Sequence, residues 1–459
     1  MTHDFIAHVP SFLAQAFDPA SVPVPRDIDL PLPIPEFWLK ILIVPTFLIH
    51  IFFVNLMLGG TLIAFVTEVI GLRFPRYDRL SHCIVETVTV NKSLAVVFGV
   101  APLLMINLLY TVHFYSANAL TGHVWVLIIP LIIVAFLLAY WHKYSWDNMQ
   151  GKQKPKHLMI AGATSLLFLF LPLIFLVQIN TMLYPEKWSQ IAGFFAALEV
   201  GNVFPRYFHF VSASLAIMGL FLSWWFGRAS FPIEEKLPGF TRAELRRHFY
   251  RWAFWVSCAQ FIFGPLVFIT LPTRGVTWSM SSWIIAGVLL AIVALWLIWK
   301  EIQESDEKIG QRFWTIVALF TLVILGMGQG RHLYRDVQLA PHKELIVKKT
   351  EEFRQIELDY KNHPAVAAPV ANNGKLLFTQ TCAACHALDK PTIAPTLVEI
   401  YGLYKGNPAG IVTWAKAPGK KRPQYIQMPP MAALGDEALN QIALYILEQG
   451  QAASPSPAR

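Results

Sequence analysis

Cys382-Ala-Ala-Cys385-His386 is the stretch from which the rest of the chain is read. Two thiols at this spacing, followed at once by an imidazole, are the pattern of covalent c-type haem attachment. Each thiol adds to one vinyl group, and His386 supplies an axial nitrogen to the iron. A second axial ligand is then needed, and Tyr425-Ile-Gln-Met428-Pro-Pro-Met431 offers one. The two prolines hold an extended stretch that could set a thioether sulfur over the open face of the iron. Met428 is the expected sixth ligand and Met431 a packing residue. A zinc or dithiol site would need another Cys or His pair, or a thioredoxin-like strand and helix, and the surrounding sequence has neither. A His/Met pair raises the reduction potential relative to bis-histidine ligation and fills both axial positions. This haem is expected to accept electrons and not to bind oxygen.

On these residues the segment from about 370 to 450 resembles the class I cytochrome c domain. Gly374 to Phe378 looks like its opening helix, and Pro395-Thr-Leu397 like the loop whose proline backs the proximal histidine. Gly435 to Leu447 looks like the closing helix, with Leu439, Ile442, Tyr445 and Ile446 in one apolar stripe at three- and four-residue spacings.

The remaining sequence is of another kind. Of 459 residues 55% are hydrophobic and only 14% charged, with 15 Trp and 33 Phe, which is the composition of a membrane protein. Apolar runs of about 20 residues fall at 38–66, 92–113, 123–142, 158–181, 206–226, 250–271, 279–299 and 313–329, so the fold class is all-α: a polytopic bundle of about eight transmembrane helices fused to a C-terminal cytochrome c domain. Basic residues collect in alternate loops, at Arg73, Arg76 and Arg79, at Lys143, Lys152, Lys154 and Lys156, at Arg228 to Arg247, and at Lys300 to Arg312. By the positive-inside rule both termini lie outside a bacterial inner membrane, on the periplasmic side where c-type haem is attached. The net charge of +8 is topological and implies no nucleic-acid partner. The expected division is an external segment 1–37, a transmembrane domain 38–332, a charged helix and linker 333–369 with the linker at 364–373, the haem domain 370–450 and a tail 451–459.

Ionisable residues inside spans are costly and face a cofactor, a partner or a water path. His50 lies in Leu48-Ile-His50-Ile-Phe-Phe-Val-Asn-Leu-Met-Leu-Gly59-Gly60, and His209 in Pro205-Arg206-Tyr-Phe-His209-Phe-Val-Ser. These windows resemble subunit I of the cytochrome bd quinol oxidases, in which a histidine of the first helix and one of the fifth bind haems b. Leu325-Gly-Met-Gly-Gln-Gly330-Arg331 is similar to that family's Gly-Arg-Gln stretch. The departures are equally specific. The second span has no acidic residue, only about eight residues join spans six and seven where that family has its quinol loop, and Ser281-Ser-Trp-Ile284 stands near the place of its methionine ligand. The topology puts His113, His123, His209 and His332 on the outer side, so His50, His113, His209 and His332 are candidate haem b ligands. Arg206 is a candidate for a haem propionate, with headgroup contact as the alternative. Glu186 and Glu199 are candidate proton acceptors or ordinary solvated residues. His82, His142, His157 and His248, beside the inner basic residues, read as interfacial.

The expectation is an electron-transfer subunit, carrying electrons between a membrane donor such as quinol, through haem b, and the covalent haem c, then to an external cytochrome or other redox carrier, with partner subunits. The alternatives are a bd-like oxidase taking electrons from haem c to oxygen, and a haem-free anchor tethering the cytochrome c domain to a respiratory complex.

Overall fold

The computed structural model describes residues 23–25, 27, 32–362, 373–390, 392–420 and 422–454. The expected external segment and tail lie partly, and the linker almost wholly, outside these residues. Among the described residues all regular structure is helical. Packing divides the chain into two units, Met1–Glu351 and Glu352–Arg459.

In the first unit, α1 (Glu36–Gly71), α2 (Pro75–Leu109), α3 (Thr111–Val126), α4 (Ile128–Tyr144) and α5 (Lys154–Thr181) are followed by the short α6 (Phe194–Leu198), then α7 (Val203–Gly227), the short α8 (Ile233–Lys236), α9 (Arg242–Ile269), α10 (Trp278–Gln303) and α11 (Phe313–Asn362). Among the described residues seven helical stretches are long and apolar enough to cross a membrane, and the shorter apolar segment Leu94–Leu109 stands where the second span was expected. Large apolar side chains such as Ile129, Ile133 and Leu137 are exposed along α4, a face that only lipid or another apolar partner would cover.

Two boundaries differ from the sequence reading. The second span ends at Leu109, because the chain breaks at Tyr110 and restarts as α3, so His113 belongs to the opening turn of α3. The charged segment after the last span is no separate helix either. It continues α11 through Pro341 for a helix of 50 residues, running from apolar into charged sequence.

The bundle centres on α1, which packs on α2, α5 and α7, with α9 behind α7. Gly59 allows the α1–α7 crossing: a Cβ there would stand 2.2 Å from the Ser214 carbonyl oxygen. At the same crossing the Ser214 hydroxyl donates to Asn55 Oδ1 at 2.8 Å, as small and hydroxyl residues do where membrane helices meet closely.

The second unit holds α12 (Asn373–Thr381), α13 (Leu397–Tyr404), α14 (Pro408–Lys416) and α15 (Asp436–Ala453). Phe378, Leu397, Ile411, Ile442, Ala443 and Ile446 form its core. The expected stripe on the closing helix is therefore buried, with Leu439 at 3% exposure. The opening and closing helices cross at Gly374, where a Cβ would come 2.4 Å from the Gln441 carbonyl oxygen.

Candidate redox sites

The Cys382-Ala-Ala-Cys385-His386 stretch is wound as a turn leaving α12. Cys382 N–H donates to the Phe378 carbonyl at 2.8 Å, and the N–H groups of Cys385 and His386 both donate to the Cys382 carbonyl. That winding puts residues at spacings of three and four on one side, so both thiols and the imidazole share a face. Burial raises the Cys382 thiol above its ordinary value of 9.0. His386 Nδ1 donates to the Pro395 carbonyl oxygen at 2.8 Å, which fixes the tautomer and leaves the Nε2 lone pair for a metal. The chain thus presents two thiols and an oriented imidazole, the donor set that a covalent haem requires.

Met428 is half-buried in a segment pinned on both sides. Ile426 N–H donates to the Ile393 carbonyl at 3.3 Å and Met431 N–H to the Ala415 carbonyl at 2.8 Å. Glu399, whose carboxylate closes a capping box at the start of α13, also takes a 3.1 Å bond from Arg422 and a 3.3 Å bond from the Tyr425 hydroxyl. One carboxylate therefore ties the methionine segment to the helix that follows Pro395.

In the membrane unit the candidate histidines do not converge on one point. His50, midway along α1, donates from Nδ1 to the Ala95 carbonyl of α2 at 2.9 Å, again leaving Nε2 as a lone pair. His209 stands near the start of α7, which is anchored by Asn202 Nδ2 donating to Val267 O at 2.6 Å and to Thr270 Oγ1 at 2.7 Å. Its Nδ1 is buried without a hydrogen-bond partner, and a Cβ at Gly264 of α9 would stand 3.9 Å from the ring. His332 Nε2 lies 3.7 Å from Asp336 Oδ2, with Nδ1 buried and unpartnered. His113 Nε2 lies 3.0 Å from Nδ1 of His342, whose Nε2 donates to the Pro23 carbonyl. That leaves His342 Nδ1 to accept from His113 in the neutral pair, so the His113 nitrogen is spent on an imidazole. His123 is exposed.

Arg206, one turn before His209, interacts electrostatically with Arg335, and Arg331 with both. Arg331 lies over the Phe47 ring and Arg335 over Tyr110. Among the described residues no carboxylate is paired with any of the three, a cationic cluster suited to an anionic group. Glu186 in the preceding loop is held above its ordinary carboxyl value of 4.5 by burial. Sequence reasoning missed His342, which sits in the segment read as a separate charged helix. It also misjudged His142 and His157: they are buried against Glu68, not interfacial. The signal was Glu68 itself, the one carboxylate in the apolar run from Phe37 to Arg73.

Compared with known proteins, residues 371–450 match the Cytochrome c family. The C-terminal unit is a cytochrome c domain. Covalent haem, electron transfer and exchange with redox partners are what such a domain brings to this chain, and the apolar helices make it a multi-pass membrane protein. The comparison with curated proteins gave no match. Among solved structures, the bd oxidase from Geobacillus thermodenitrificans is similar in fold, with TM-score 0.50 at 14% identity over 66% of this chain and 87% of that one. The cytochrome c domain is therefore joined to a bundle with the fold of that oxidase.

Proposed function

We propose that the chain is a membrane electron-transfer cytochrome, passing electrons from a membrane donor, with quinol as the candidate, through haem b in the bundle to a covalent haem c and on to an external carrier. In the cytochrome c domain Cys382 and Cys385 hold the porphyrin, His386 Nε2 and Met428 Sδ are the axial ligands, and the Pro395 carbonyl and Glu399 orient them. The haem supplies one-electron chemistry with both axial positions closed.

In the bundle, His209 and His50 are the ligands best supported: each keeps a ring nitrogen free of protein partners and has no carboxylate beside it, whereas His332 stands beside Asp336. One observation carries the haem b reading: Arg206, one turn before His209, clusters with Arg331 and Arg335, and among the described residues no carboxylate is paired with them. Three guanidiniums half out of water are stabilised by an anion, and the paired propionates of a haem suit their fork geometry. His113 and His332 are left to structural or proton-carrying roles. The basic loops support a bacterial inner membrane with the cytochrome c domain outside. Its tether would keep the acceptor at high effective concentration, so transfer need not wait for diffusion.

The test is a haem count by pyridine spectra on the purified full-length protein, with His209→Ala and His50→Ala. The expected result is one haem c and at least one haem b, the b signal falling in the variants. Haem c alone would leave an anchor function. The fold shared with a bd oxidase favours oxygen reduction as a second reading, which requires a high-spin haem and oxygen consumption by the same preparation.

A further inference from the structure

We propose that Glu68, His157 and His142 form a proton-binding site inside the bundle, loaded from water at its basic-loop end through Asp78 and Lys154. Glu68 on α1 and His157 on α5 are fully buried, and His142 on α4 nearly so. His157 Nδ1 lies 2.5 Å from Glu68 Oε1 and its Nε2 2.9 Å from the His142 carbonyl oxygen. Both ring nitrogens face oxygen acceptors, so His157 is an imidazolium beside a carboxylate, or Glu68 carries the proton and donates it to Nδ1. A proton is held between them in either case. His142 Nε2 donates to Glu68 Oε2 at 2.8 Å.

The charged groups reaching the cluster from every packed element are Asp78 on α2 and Lys154 on α5. Lys154 Nζ bridges Glu68 Oε1 at 2.9 Å and Asp78 Oδ1 at 2.5 Å. Trp146 is in contact with His142, His157 and Lys154, and His82 stacks on the same indole. Two anions and two cations cancel when His142 and His82 are neutral, which makes the burial tolerable. Side-chain exposure rises from 0% at Glu68 to 9% at Lys154 and 19% at Asp78, a graded route to water. On the inward side His142, Thr61 and Thr164 line a cavity of about 20 Å³, room for about one water.

A metal ion fits poorly, since the Lys154 ammonium already stands 2.9 Å from Glu68 Oε1 and would face the cation directly. The proton step is balanced without one. Lys154 Nζ–H breaks as Glu68 Oε1–H forms, and the ammonium is restored by a proton arriving through Asp78 from water.

The experiment is pH-jump infrared difference spectroscopy on the full-length protein, independent of any haem in the bundle. Expected is a buried carboxylic-acid carbonyl band that grows as the pH is lowered, shifted in deuterium oxide, lost in Glu68→Gln and slower to form in Asp78→Asn. If Glu68→Gln does not fold, wild-type protein labelled with carbon-13 at its glutamate carboxyls decides by the isotope shift of the same band. The absence of such a band in wild type, its persistence in Glu68→Gln, or its loss on stoichiometric zinc binding would overturn the proposal.

Discussion

Two methionines three residues apart carry different loads. Met431 anchors by its backbone, through the bond from its N–H to Ala415, whereas Met428 lies between two pinned points with its sulfur free to ligate. Met428→Ala is therefore expected to abolish the methionine–iron absorption band and lower the potential of haem c, while Met431→Ala keeps the band; redox titration of both variants checks this. Glu186 gives a pH prediction. Its raised carboxyl value means the folded state holds the proton better than the unfolded chain, so its favourable contribution is complete below the ordinary value of 4.5 and disappears as pH rises through the higher folded value. Glu186→Gln should match wild type in acid and melt at higher temperature near neutral pH, as thermal unfolding across pH would reveal. The cytochrome c domain was legible because its signature is local: five adjacent residues bear both thiols and the imidazole. Glu68, His142 and His157 meet only because α1, α4 and α5 end together, and no spacing along the chain encodes that.

At the scale of elements, close crossings and end caps set the architecture. Gly374 is the contact point of the opening and closing helices of the cytochrome c domain, and Gly374→Val would drive two branches into the Gln441 backbone. A loss of about 3 kcal/mol or more is expected, read as a lower denaturation midpoint of the haem c band. In the bundle, fully buried Glu301 closes the turn between α10 and α11, accepting from Gly310 N–H, from Arg312 N–H at 3.0 Å and from the Arg312 guanidinium at 3.2 Å. Glu301→Ala leaves two half-buried backbone donors without an acceptor and should cost about 1–3 kcal/mol, visible as a lower aggregation temperature while haem c content is unchanged. Apolar runs revealed the spans well because lipid demands about 20 such residues of a crossing helix. They failed at the ends, where α2 breaks at Tyr110 and α11 continues into charged sequence, because hydropathy reports the solvent around a helix and not the continuity of its backbone bonds.

For the whole molecule, the account rests on electrons moving between a group in the bundle and the haem of the cytochrome c domain. The fold of the bundle was foreshadowed by the windows around His50 and His209, yet the neighbours of those histidines came only from packing. The most direct measurement is anaerobic stopped-flow reduction of the purified full-length protein by a soluble quinol, followed at the b and c absorption bands, beside the His209→Ala variant. Expected is reduction of b followed by c in wild type, with the c phase lost or much slowed in the variant. A haem c that stays oxidised with quinol while ascorbate reduces it, or one reduced equally fast without His209, would contradict the account.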